Sequence, residues 1–95
     1  MHFQITKNNY PWPTVLRRLG YYPLNNAYVK RLGADYYPRF HIYAQSEDDN
    51  GVSLTLHLDQ RKGRHEGIKA HAADDDSSVV QEEVQRIQQA FSKIL

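Results

Sequence analysis

The chain contains no cysteine. That excludes a disulfide framework and any thiolate metal site. It also lacks a long apolar run, and no stretch approaches the roughly 20 residues of a membrane-spanning helix. The first residues have neither the basic nor the apolar region of a secretory leader. A soluble, cytoplasmic protein with no membrane contact is therefore expected. Internal repeats and low-complexity tracts are absent, and 95 residues leave room for one domain, 1–95.

Net charge is small, at +1, but its distribution is uneven. Residues 1–45 carry six Lys or Arg against the single acid Asp35, while residues 46–60 carry four acids and no Lys or Arg. Arg61, Lys62, Arg64 and Lys69 then follow, against Glu66. This asymmetry suits an anionic partner, although charged side chains also solvate any surface.

The stretch Arg39 to Gln60 organises the rest. Phe40, Ile42 and Ala44 alternate with Arg39, His41, Tyr43 and Gln45. Val52, Leu54, Leu56 and Leu58 alternate with Ser53, Thr55, His57 and Asp59. Strict alternation marks two strands with one buried face. A three-residue loop Asp49-Asn50-Gly51, with Gly51 left-handed, would join them. That register sets His41 opposite Asp59 and Tyr43 opposite His57. A histidine-rich polar face results.

Around this hairpin, His2 to Lys7 reads as a strand and His2 as a surface residue. Pro11-Trp12-Pro13-Thr14 opens a helix with a Val15, Leu16, Leu19 stripe, capped at Gly20. Trp12, at helical spacing, reads as core. Asn25-Asn26 leads into a strand from Ala27 to Leu32. The tyrosine doublets Tyr21-Tyr22 and Tyr36-Tyr37 read either as core caps or as a stacking platform for bases. Residues 61–76 form a long irregular stretch containing His65 and His71. From Ser78 to Leu95, Val80, Val84, Ile87, Phe91 and Ile94 trace one helical face. Ser78 with Gln81 matches a capping box, and Glu82 and Glu83 suit the first turn. The expected fold is α+β: a two-layer β-α-β-β-β-α domain. A mainly antiparallel four-stranded sheet would carry both helices on one face. The first strand would lie beside the second, parallel to it.

From Val15 to Ile94 this pattern resembles the HicA-like toxin family, which has the double-stranded-RNA-binding-domain fold. The likeness rests on Leu16-Arg17-Arg18-Leu19-Gly20-Tyr21 and on Arg39-Phe40-His41-Ile42-Tyr43. It implies RNA as substrate and His41 as the catalytic residue. The family's Gly-Ser before the histidine is missing here. His57-Leu58-Asp59-Gln60 and Ala70-His71 also resemble segments of small bacterial proteins, a likeness that implies no activity.

The residues themselves leave three readings open. In the leading one the polar face is an interaction surface for RNA or another protein, with no cofactor and no metal. In the second, His41, His57 and Asp59 act on protons of a bound RNA. Tyr43, Arg61, Lys62, Arg64, His65 and His71 would then bind it. In the third, His57 and Asp59 with His41, and His65 or His71, hold zinc, nickel or iron.

Overall fold

The computed structural model describes residues 1–60 and 77–93. Among these residues five strands and two helices follow in the order β1 (His2–Thr6), α1 (Trp12–Arg18), β2 (Tyr22–Leu24), β3 (Ala27–Arg31), β4 (Arg39–Glu47), β5 (Gly51–Asp59) and α2 (Ser78–Lys93). The strands form one antiparallel sheet in the order β1-β5-β4-β3-β2. The α+β architecture is as expected, but the sheet has five strands rather than four.

The additional strand, β2, is three residues long and contains Pro23, so no alternation announces it. Its signal is the turn that follows. Asn25 and Asn26 both have positive φ, at 50° and 49°. Two such residues close a tight hairpin whose twist matches the strands it joins, and asparagine tolerates that conformation. The next strand ends at Arg31, and Leu32 lies outside it, exposed.

β1 does not lie parallel to the strand after α1. It pairs antiparallel with β5, at the opposite edge of the sheet from β2. Phe3 faces Leu54 and Ile5 faces Val52, so β1 adds its apolar row to the one β5 presents. Gly51 sits where β1 passes closest, and a Cβ there would lie 2.5 Å from the Ile5 carbonyl oxygen. Gly51 does not take the left-handed conformation expected of it. Its bareness serves the strand contact instead.

The β4–β5 hairpin keeps the expected phase and departs from the expected register by two residues. His41 faces His57, Arg39 faces Asp59, and Tyr43 faces Thr55. If this pairing continued to the turn, one residue would have to reverse the chain. A register shift between Ala44 and Ser46 supplies the missing residue. Asp48 N–H then donates to the Gly51 carbonyl at 3.0 Å, and Asp48 Oδ1 accepts from Asn50 and Gly51 N–H at 2.9 Å each. Those two amides hold the Asp48 carboxyl below its usual range.

Both helices cover the apolar face. α1 closes with Gly20 N–H on the Arg17 carbonyl and Tyr21 N–H on the Leu16 carbonyl, with Gly20 at φ 104°. This is the paired C-terminal closure that favours glycine, and Leu16 and Tyr21 are both buried beside it. Trp12 packs on the core with its ring edge-on to Tyr28, as its spacing implied. α2 is capped by Ser77, not Ser78: Ser77 Oγ accepts from Val80 N–H at 3.3 Å. Val80, Val84, Ile87 and Phe91 join Phe40, Ile42, Leu54 and Leu56 in one core.

Glu83 is not a solvated first-turn acid. It is buried, at 6 % exposure, and accepts the Tyr21 hydroxyl at 2.5 Å and two Arg86 bonds at 2.8 and 2.7 Å. Arg86 also donates to the Leu19 carbonyl at 3.2 Å, tying α2 to the end of α1. Burial, and then Glu83, push the Tyr21 phenol far above its ordinary value.

Two outcomes are expected. Leu56→Ala and Ile87→Ala should each destabilise by roughly 2–5 kcal/mol in urea unfolding, because both side chains are fully buried. Tyr21→Phe should cost about 1–2 kcal/mol near neutrality through the lost donor. Since the folded pKa of Tyr21 is raised, its contribution is complete below about pH 10 and declines as pH rises beyond it. A stability–pH profile of Tyr21→Phe should therefore show a shallower alkaline loss than the parent.

Candidate functional site

The helices leave the other sheet face to polar and aromatic side chains. Strand register arranges them in rows. One row is Arg31, Arg39 and Asp59. The next is Tyr22, Val29, His41 and His57, spanning four strands. A third is Tyr43, Thr55 and His2. β3 thus sends Val29 to this face and Tyr28 and Lys30 to the helices. Val29 is fully buried and forms an apolar floor between the Tyr22 and His41 positions. A shallow depression of about 450 Å³ includes Val29, Arg39, His41, Tyr43 and the Asn25–Asn26 turn.

Four expected residues come together here: His41, Tyr43, His57 and Asp59. The His41 and Tyr43 rings are 5.7 Å apart, His41 and His57 6.2 Å, and Tyr43 and His57 5.7 Å. Tyr43 Oη and His57 Nε2 are 3.4 Å apart. Asp59 is not opposite His41, as the expected register had it, but diagonal to it. Its Oδ2 lies 3.5 Å from His41 Nδ1 and accepts Arg39 Nε–H at 3.2 Å. The carboxylate is committed first to the guanidinium. Arg61, Lys62, Arg64, His65 and His71 lie outside the described residues.

Arg39 is the residue that sequence reading undervalued. Its side chain is only 11 % exposed. Its guanidinium lies 4.4 Å from the Tyr36 ring centre and 4.8 Å from that of Tyr37. These rings meet edge to face at 4.9 Å. Nη1 is buried without a hydrogen-bond partner among the described residues, and the two rings beside the guanidinium add negative potential to that of Asp59. Burial works against the charge, but hydrogen bonds to Tyr36 and Asp59 outweigh it and hold the guanidinium above its ordinary value. Parity with His41 was the available signal for its place on this face. The Tyr36-Tyr37 doublet beside it was the signal for its packing.

The doublets serve different ends. Tyr21 is buried against Glu83, whereas Tyr22 is exposed and accepts Arg31 Nε–H at 3.3 Å. Arg31 in turn lies 5.6 Å from the Tyr36 ring centre. His2, expected only as a surface residue, joins the face through Nδ1, 2.8 Å from Thr55 Oγ1. That contact accounts for a threonine being buried on a polar face.

Among the described residues no group of three His, Asp or Glu is placed to hold a metal ion. No family model, curated protein or solved structure matches the chain. No helix among the described residues is long and apolar enough to cross a membrane.

Arg39→Ala should destabilise by roughly 1–3 kcal/mol, because Asp59 loses its nearest charged donor and two tyrosines lose their packing. His57→Ala should cost less, since imidazole truncation on this half-exposed face opens no core cavity. Chemical denaturation of both variants checks the order. A larger loss for His57→Ala would make that histidine structural.

Proposed function

We propose that this is a non-catalytic binding domain whose ligand surface is the sheet face opposite α1 and α2, and that RNA is the ligand its chemistry suits. One observation carries the reading. The face combines a row of rings, Tyr22, His41 and His57, with two adjacent arginines, Arg31 and Arg39, that stack on Tyr36. Aromatic and imidazole rings on a sheet accept unstacked bases, and each arginine can serve a phosphate. Arg39 is already held by Asp59 and by two tyrosines. It positions the tyrosines, leaving Arg31, which is exposed, as the phosphate contact. Arg61, Lys62 and Arg64 follow β5 directly in sequence and would add phosphate contacts. The likeness to HicA-like toxins also favours RNA, although four strands here separate the helices where that family has three.

The proximity of His41 and His57 favours a second reading, RNA cleavage, with one imidazole taking the 2′-hydroxyl proton and the other serving the leaving oxygen. The weak point is Asp59. It stands nearer to Arg39 than to His41, so orienting the imidazole is its secondary contact.

Binding of single-stranded RNA should weaken steeply between about 50 and 200 mM salt. Arg31→Ala should weaken it and reduce the salt slope by about one. His41→Ala should reduce stacking affinity modestly in the binding reading. In the cleavage reading it should abolish product formation. Salt-insensitive or absent RNA binding would overturn the proposal and leave a protein partner for the face.

A further inference from the structure

We propose that the outer edge of β1 is a self-association surface. On it, a second copy of this chain would add its own β1 antiparallel, about a two-fold axis through Gln4. The backbone phase makes this possible. Met1 and Leu56 exchange both hydrogen bonds, at 2.7 and 2.9 Å, and Lys7 N–H reaches the Asn50 carbonyl at 3.0 Å. Bonded pairs alternate in an antiparallel ladder, so Phe3 and Ile5 also bond to β5. The backbone groups of His2, Gln4 and Thr6 therefore point out of the sheet. Among the described residues only one of them is met, the Gln4 carbonyl, which accepts Gln88 Nε2–H at 3.2 Å. A carbonyl has a second lone pair, and Gln88 comes from the helix layer, so an in-plane strand retains access.

The two sheet edges are treated differently. β2 is three residues long and contains Pro23, which cannot donate to a ladder. β1 is five residues long, unbulged, and contains no Lys and no Pro. Beside it, α2 presents Gln81, Gln85, Gln88 and Ser92 along one stripe, with no charge. In a chain that is 24 % charged, the strand edge from His2 to Thr6 and the helix flank beside it carry no Lys, Arg, Asp or Glu, and Lys7, at the end of the groove, is paired with Glu47. Depletion of charge at the centre of a surface is what protein–protein contacts show. A groove of about 310 Å³ between β1 and α2, floored by Ile5 and Phe91, leaves the rim of the strand open.

The occupant follows from the register. Two-fold pairing through Gln4 sets each Gln4 against its copy and each His2 against Thr6 of the other strand. All three outward residues then exchange backbone bonds, about six in total at two per bonded pair. Within β1 every facing pair is neutral or hydrogen-bonding; beyond it Lys7 would face the Met1 ammonium of the other copy, and its own charge is met by Glu47 at 2.8 Å. The interface is isologous and closed, so it stops at two copies.

Sedimentation equilibrium across a wide concentration series tests this. The apparent mass should rise from the 11.1 kDa monomer toward twice that value. Gln4→Pro removes an outward N–H that β5 does not use, so the variant should keep its circular dichroism spectrum and stay monomeric. Gln4→Lys, which opposes two cations at the axis, should raise the dimer dissociation constant at least tenfold and recover in high salt. It stands in for Gln4→Pro should that variant fail to fold. A parent that stays monomeric throughout, or a dimer unchanged in a folded Gln4 variant, would overturn the proposal.

Discussion

β5 is paired on both sides, and the remaining structure depends on that double pairing. β1 fixes its register along one edge and β4 along the other. Leu54 and Leu56 are consequently sealed, with no exposed surface, while His57 and Asp59 can only face away from the helices. A slip of one residue would exchange these sets, burying an imidazole and a carboxylate while exposing leucines. The hydrophobic cost of such a slip is what holds the polar face in place. The face is a by-product of the core, and its geometry is as rigid as the core is.

Two polar clusters, one buried and one half-exposed, differ in what they do. Tyr21, Glu83 and Arg86 close the seam between the end of α1 and α2, and every charged group there has a partner. Such a network joins elements and gives a ligand no access. Arg39, Asp59, Tyr36 and Tyr37 lie on the sheet face opposite α1 and α2. There one guanidinium nitrogen has aromatic faces in place of an oxygen. Removing Arg86 leaves the buried Glu83 carboxylate without its cation, whereas removing Arg39 leaves Asp59 without its guanidinium on a half-exposed face.

What could be read from sequence was what depends on period. The alternation from Arg39 to Asp59 put His41, Tyr43, His57 and Asp59 on one side, and the structure gathers them there. The stripe from Val80 to Phe91 likewise marked α2 and its buried side. Register was not legible, because it was set by a bulge near Gln45 that no residue type announces. β1's place was not legible either, since pairing with β5 joins segments some fifty residues apart. β2 was hidden by its brevity and by Pro23, although Asn25-Asn26 carried its signature. The role of Glu83 was misread, because it looks like a surface residue until Tyr21 and Arg86 remove it from water. Of the two readings open for Tyr21, the structure has the core one.

The acidic turn would repel an anionic ligand if it lay near the arginines, and the strand geometry decides the matter. Arg39 begins β4 and Glu47 ends it. At about 3.3 Å per residue, eight steps separate them by roughly 26 Å. That is about three Debye lengths at physiological ionic strength. The acids are also occupied locally. The register shift turns Glu47 toward the helix side, where Lys7 meets it at 2.8 Å and lowers its pKa. Asp48 is held by the amides of its own turn. Among the described residues the acid in contact with these arginines is Asp59, and Arg39 already holds it. With Asp59 spent on Arg39, the charge left over in the row Arg31, Arg39, Asp59 is that of Arg31. Its placement beside Tyr22 and Tyr36 puts a cation and two rings within reach of a single nucleotide.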